Sequence, residues 1–230
     1  MTVPKPKNES ARLEALRAYA ILDTPPEDVF DDFTLLAAFI CGTPTALVSL
    51  VDDERQWFKS KHGMDADETP RDVAFCAHAI LDCNVMVIPD ATKDPRFVEN
   101  PLVTTNPGIQ FYAGAPLITP EGHVIGALCA IDYSPRELDP RQEAALAALA
   151  SQVVVQLELR RVSAALADTI AKVELLEGVI PICSYCKSIR NDKGYWDTLE
   201  DFMKDYSDQK FSHSICTDCM EKRFPDVEAE

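Results

Sequence analysis

From Arg141 to Glu177 the chain contains neither proline nor glycine, and it is rich in Ala, Leu, Val, Glu and Arg. Such a stretch keeps every backbone donor and holds no helix breaker, so one long helix is predicted from Pro140 to about Gly178. That helix separates an N-terminal part large enough for one ordinary core from a tail of roughly 50 residues, which can bury little apolar surface by itself. The organisation predicted is a disordered lead over residues 1–9, a sensor domain over 10–155, a coiled-coil linker helix over 156–180 and a small cysteine module over 181–226.

The period of the long helix carries further information. Leu159, Leu166, Val173 and Ile180 fall on heptad position a, and Val155, Val162, Thr169 and Leu176 on position d. A seam of that spacing is buried when two parallel copies pair, so a homodimer is expected. For residues 140–157 packing on the chain's own domain explains the pattern equally well.

Before this helix the periodicity changes several times. RLEALRAYAIL places Leu13, Leu16 and Ala20 on one helical stripe. Thr24-Pro25-Pro26-Glu27 reads as a capping box that opens a second helix, which Gly42 and Pro44 stop. TALVSLVD and RQWFKS, separated by the acidic turn Asp52 to Glu54, read as a hairpin, with one of Trp57 and Phe58 facing the core and the other a partner or solvent. VAFCAHAIL is predicted as a short helix and VMVIPD as a strand, while IQFYAGAPLIT and HVIGALCAID form a second hairpin around Pro120-Glu121-Gly122. About five mainly antiparallel strands flanked by helices give an α+β fold.

Charge excludes one class of partner. A formal net charge of -16, with 7 Lys/Arg against 11 Asp/Glu in residues 181–230, opposes approach to a phosphate backbone, so no nucleic-acid partner is expected. No apolar run approaches the ~20 residues needed to span a bilayer, and MTVPKPKNES lacks the apolar stretch of a secretory signal. No membrane partner and a cytoplasmic location are therefore expected.

Several phrases occur in a telling order: RLEALRAYAILDTPPEDVFDDFTLLAAFICGTPTALVSLVDDERQWFKSKHG, FCAHAI, VIPDATKDPRF, FYAGAPL and GALCAID. Over residues 9 to 155 the chain resembles the GAF domains of bacterial signalling proteins. That resemblance implies an antiparallel sheet with a small-molecule ligand held between it and the covering loops. It also implies dimerisation through helices, and an output such as a histidine kinase or a cyclic-di-GMP enzyme. By the same resemblance Phe75, Cys76, His78, Asp90, Phe97, Tyr112 and Cys129 are the candidate ligand-binding residues.

Each candidate has a structural alternative. Cys76 and Cys129 sit among small apolar neighbours, where free cysteine usually packs. His78 lies roughly 200° around a helix from Cys76, so the two cannot face one metal. Asp90 precedes a turn whose amides a carboxylate would accept. A covalent bilin would want Cys followed directly by His, whereas the chain reads Cys76-Ala77-His78. The Asn-Lys-x-Phe-Asp-Glu signature associated with cyclic-nucleotide binding is also missing. Free methionine-R-sulfoxide reductase, another GAF fold, places a cysteine near FCAHA; its partner thiol near NPGIQFY is absent here.

The remaining cysteines are paired. Cys183 and Cys186, then Cys216 and Cys219, form two Cys-x-x-Cys knuckles, the arrangement that tetrahedral zinc requires and that a reducing compartment does not turn into a staple. One structural Zn2+ per chain is expected, with His213 as an alternative ligand, and dithiol exchange as the competing chemistry. Trp196, Leu199, Phe202, Met203 and Tyr206 are read as one apolar helical stripe. PICSYCKSIRNDKGYWDTLEDF and FSHSICTDCMEKRFP resemble a short cysteine module at the ends of bacterial PAS, GAF and receiver-domain proteins.

The expected function is that of a sensor which passes a ligand or redox signal along a dimeric helix to a zinc-stabilised interaction module and an unidentified partner protein. No phosphate loop, kinase or cyclase motif is recognisable, so no catalysis is expected. The competing readings are a thiol redox enzyme and a structural adaptor.

Overall fold

The computed structural model describes residues 3–177, 182–191, 194–206, 212 and 214–223. The chain divides into two compact units, Met1–Ala164 and Ala165–Glu230.

The first unit opens with α1 (Glu9–Ala18) and α2 (Asp28–Cys41). The capping box expected at Thr24 does not form: α2 starts at Asp28, after an extended Glu27. Pro25 and Pro26 disfavour helical geometry in the residues before them, Thr24 Oγ1 donates to the Ile21 carbonyl, and Lys59 takes the Glu27 carboxylate. At the other end Gly42 sits at φ +65°, the left-handed geometry that closes a helix at least cost for glycine.

Six strands follow the order β3-β2-β1-β6-β5-β4: β1 (Thr45–Val51), β2 (Arg55–His62), β3 (Glu68–Pro70), β4 (Met86–Ile88), β5 (Phe111–Ile118) and β6 (Val124–Asp132). Every neighbouring pair is antiparallel. The expected hairpins are β1–β2 and β5–β6. The strand beyond the expected five is β3, whose three residues, Glu68-Thr69-Pro70, carry no apolar alternation to recognise. Between strands lie a 3-10 turn (Arg71–Val73) and two single-turn helices, α3 (Cys76–Ala79) and α4 (Pro101–Thr104). Asn100 caps α4 by accepting the Leu102 N–H at 2.9 Å.

Both faces of the sheet are buried. Ala46, Val48 and Leu50 of β1 pack with Leu16, Phe30 and Ala37 of α1 and α2, and with Leu146, Val153 and Leu157 of α5 (Pro140–Glu177). Leu47 and Val51 turn the other way, against Phe75, Cys76 and Ala79. Trp57 and Phe58 therefore both lie in cores, one on each face, instead of one facing outward. A strand covered on two sides buries both parities.

In the second unit β7 (Ile189–Arg190) pairs with β8 (Trp196–Asp197), followed by α6 (Leu199–Tyr206) and α7 (Thr217–Arg223). Trp196 belongs to β8 and is exposed, so the expected stripe does not start there. Asn191 makes the difference: its backbone N–H donates to the Tyr195 carbonyl and its side chain accepts the Tyr195 N–H, which turns the chain back as a hairpin. Thr198 then caps α6 by accepting the Asp201 N–H at 3.1 Å, and Phe202 is buried. No helix among the described residues is long and apolar enough to cross a membrane.

Candidate functional site

On the face of the sheet away from α5, α3 lies across β1, β5 and β6. Five of the seven candidate ligand residues meet there, and all five are buried: Phe75, Cys76, Phe97, Tyr112 and Cys129. Phe75 stacks on Phe97 with ring centres 4.1 Å apart and planes 4° from parallel, and on Tyr112 at 5.2 Å. His78 packs edge-on against Phe97 at 4.8 Å and also lines an outer cleft of ≈ 450 Å³ with Met86 and Arg96. Burial and the nearby Arg96 cation keep its imidazole neutral to lower pH than usual. Stacked rings thus form the layer between the sheet and α3.

Asp90 is not part of this cluster. Its carboxylate accepts the Thr92 N–H at 3.1 Å and pairs with Lys93 at 2.7 Å, so it closes its own turn.

The polar centre of the cluster is a pair of thiols. Cys76 Sγ lies 3.7 Å from Cys129 Sγ, and Tyr112 donates its phenol to Cys76 Sγ at 3.2 Å. Sequence reasoning missed two residues that build this arrangement. A Cβ on Gly114 would collide with the Tyr112 hydroxyl, so only glycine lets the phenol lie along β5 and reach the thiol. Ser49 Oγ is buried with no partner in hydrogen-bond geometry, and its hydroxyl lies near enough to favour negative charge on Cys76. The register places them: Leu47 and Gly114 both pair with Cys129, which brings Ser49 and Tyr112 to the same face.

Burial opposes ionisation of Cys76, but the polar groups of Cys129, Ser49 and Tyr112 around it outweigh burial and hold the thiol below its ordinary range. Cys129 is pushed well up, first by its hydrogen bond to Cys76 and then by burial. Tyr112 is raised by burial and by the neighbouring sulfurs.

A charged network on the opposite face was also missed. The Lys59 side chain is 0% exposed and donates to Glu27 Oε1 at 2.7 Å, the Pro25 carbonyl at 2.7 Å and Thr24 Oγ1 at 3.0 Å. Glu27 also accepts Arg160 of α5 at 3.1 Å, and its carboxyl titrates below its usual range because these cations outweigh its burial. Tyr19, directly after α1, donates to Glu158 of α5. The start of α2 and the middle of α5 are thus joined by shared charge.

In the second unit, the turn at the first knuckle closes with the Cys183 N–H on the Ser188 carbonyl at 2.8 Å, and Lys187 takes a left-handed φ of 64°. Cys186 is lowered to about 7, first by Ser188 and then also by Cys183. Cys216 and Cys219 are exposed at the start of α7, with the Cys219 N–H donating to the Cys216 carbonyl at 3.1 Å. Among the described residues no three of His, Cys, Asp or Glu are grouped to hold a metal ion, and the expected four-sulfur centre is not shown. His213 lies outside the described residues.

Residues 25–157, more than half of the chain, match the family model described as GAF domain. A cyclic di-GMP phosphodiesterase of Pseudomonas aeruginosa, PA2567, is 42% identical over 161 residues, which span 70% of this chain and 27% of that protein. The chain thus spans about a quarter of the length of that curated relative. The relative is named as an enzyme, which overturns the expectation of a chain without catalysis: that reading rested on missing motifs alone. Among solved structures, the GAF domain of a phosphoenolpyruvate-protein phosphotransferase from Coxiella burnetii superposes with a TM-score of 0.52 at 15% identity, covering 69% of this chain and 99% of that one. Free methionine-R-sulfoxide reductase from Neisseria meningitidis gives a TM-score of 0.49 at 15% identity over 71% of this chain and 98% of its own. The family match and the six-stranded antiparallel sheet agree: the chain belongs to the GAF domain family.

Proposed function

We propose that this chain is the sensing part of a cyclic di-GMP phosphodiesterase system. The observation that carries this reading is the 42% identity over 161 residues to a protein named as such an enzyme. The core around Phe75, Cys76 and Tyr112 receives the input, and α5 carries the response, because Arg160 and Glu158 already tie that helix to the loop before α2 and to α1. Two copies pair along α5, where Val155, Leu159, Val162 and Leu166 are exposed at heptad spacing. Val173 and Leu176 continue that spacing in the sequence.

The tail is proposed to hold one Zn2+ through Cys183, Cys186, Cys216 and Cys219 and to dock a partner protein of the same pathway. Support comes from the two knuckle spacings and from Cys186, whose thiol is already drawn toward the thiolate that zinc binds. When bound, the ion would neutralise four clustered thiolates and hold a unit whose own core is small.

Cyclic di-GMP measured in the native host tests the reading. Deleting the gene raises the nucleotide level, and Tyr112→Ala in the sensor core changes how that level responds to growth conditions. An unchanged level after deletion removes the reading.

A further inference from the structure

The buried dithiol has properties that packing alone does not require. Four polar groups converge on one point of an otherwise apolar layer: Cys76 Sγ, Cys129 Sγ, the Tyr112 phenol and the Ser49 hydroxyl, the last with no partner of its own. A buried hydroxyl without a partner costs on the order of 1–3 kcal/mol, so a core selected only for stability would carry Ala at such a position. Gly114 forgoes a side chain so that the phenol reaches sulfur. The thiols come from different elements, Cys76 from a single-turn helix and Cys129 from the central strand β6, and they are already in contact at 3.7 Å. Closing that contact to the ~2.05 Å of a disulfide needs a movement of one to two ångströms by the short helix, while the strand stays fixed in the sheet.

We propose that Cys76 and Cys129 form a reversible disulfide, which makes this core a two-electron redox site with a peroxide as oxidant. The Cys76 thiolate attacks one peroxide oxygen; the S–O bond forms, the O–O bond breaks, and the leaving hydroxide takes a proton to become water. Cys129 then attacks the Cys76 sulfenic sulfur, the S–S bond forms, the S–O bond breaks, and the second water leaves with the Cys129 proton. Both sulfurs are oxidised by one electron each, and the peroxide is reduced to two waters. Tyr112 loses its Cys76 sulfur acceptor on closure, and α3 shifts against the Phe75–Phe97 stack. Hydrogen peroxide is small enough to enter as the single turn of α3 opens; bulky thiol reagents are excluded because both sulfurs are buried. The site names a chemistry for the sensor reading above and rests on that reading only for its signalling consequence.

Peptide mapping of the full chain tests the proposal without any variant. Reduced, desalted protein is treated with a small excess of hydrogen peroxide, remaining thiols are alkylated in denaturant, and peptides are analysed without reduction. The expected product joins the Cys76 and Cys129 peptides with loss of two hydrogens in most molecules, and dithiothreitol abolishes it. Cys41→Ser and Cys83→Ser leave it unchanged, and Cys129→Ser removes it. If Cys76 and Cys129 both carry the alkyl label at peroxide doses that oxidise the exposed tail cysteines, the proposal is overturned. So it is if Cys76 proceeds to sulfinic acid with Cys129 still free. Phosphodiesterase output is read separately: an output that answers to another ligand while both thiols stay free removes the redox site and leaves the sensor reading. A disulfide that forms without changing output establishes the site and removes the reading.

Discussion

Arg160 of α5 and Lys59 of β2 share one oxygen: Glu27 Oε1 accepts the first at 3.1 Å and the second at 2.7 Å. The two cations differ in access, since Lys59 is wholly enclosed and Arg160 reaches solvent. Removing the carboxylate with Glu27→Ala leaves an ammonium enclosed with only neutral acceptors, and the expected cost is on the order of 3 kcal/mol. Lys59→Met takes the charge away and leaves a carboxylate that can hydrate, so it costs less. Urea unfolding of the two variants should rank them in that order. Equal losses would show that the pair is not the electrostatic centre of this face.

Acid sensitivity follows from Glu9. Burial opposes its ionisation, but Arg12 and Arg71 donate to its carboxylate and hold it down at about 2 in the folded chain, against 4.5 for the free group. A depressed folded value means that the stabilisation is complete above the unfolded value and is lost as pH falls from about 5 toward 2. The size is on the order of 2–3 kcal/mol. Thermal unfolding across that window should show the loss, and Glu9→Gln should flatten it while lowering stability at neutral pH.

Gly114→Ala puts a methyl where the Tyr112 phenol passes. Overpacking of this kind costs about 1–3 kcal/mol, and the displaced ring also leaves the Phe75 stack. Tyr112→Phe keeps the ring and removes only the donor, so its cost is about 1 kcal/mol. Thermal unfolding distinguishes the two. A Gly114→Ala chain as stable as the parent would mean that the Tyr112 phenol does not lie over Gly114 as described.

Pairing along α5 predicts that Leu159→Glu with Leu166→Glu places charges across a shared seam. Sedimentation equilibrium should show dimer association weakened by at least about 100-fold, with far-ultraviolet circular dichroism unchanged for the sheet domain. A parent chain that is monomeric at high concentration removes the pairing.

For the tail, metal analysis of protein purified without added zinc should give one Zn2+ per chain, lost with Cys183→Ser or Cys219→Ser. Chelation should release it and unfold α6, seen as a change in Trp196 fluorescence. Absence of zinc together with reversible pairing of Cys183 and Cys186 would assign dithiol chemistry instead.

The sheet and its hairpins could be read from the sequence because TALVSLV and GALCAID are short, β-rich apolar runs bounded by turn residues. The long helix was legible for a simpler reason, since nothing in residues 141–177 can end one. Lys59 was not legible: in RQWFKSKH it reads as a solvated cation, and only packing of α2 over β2 turns it inward beneath Phe30. Five of the candidate site residues do gather at one place, because the register of β5 and β6 and the position of α3 were implied by the family's order of elements. What they make together was hidden, as a sequence does not say whether aromatic rings line a space or fill it. Ser49 and Gly114 were overlooked because a small residue in a strand carries no mark of the neighbour it accommodates.

The outermost strands of the sheet are short, three residues each, and the chemistry of their rims differs from the interior. On one rim Glu68 carries charge and Pro70 lacks an amide hydrogen; on the other, Met86–Ile88 runs directly into Pro89. A neighbouring molecule finds little free main chain there to continue the ladder. Growth by strand addition is therefore blocked at both margins, and crowding this protein to high concentration should drive association through helical surfaces and not through fibril-like stacking.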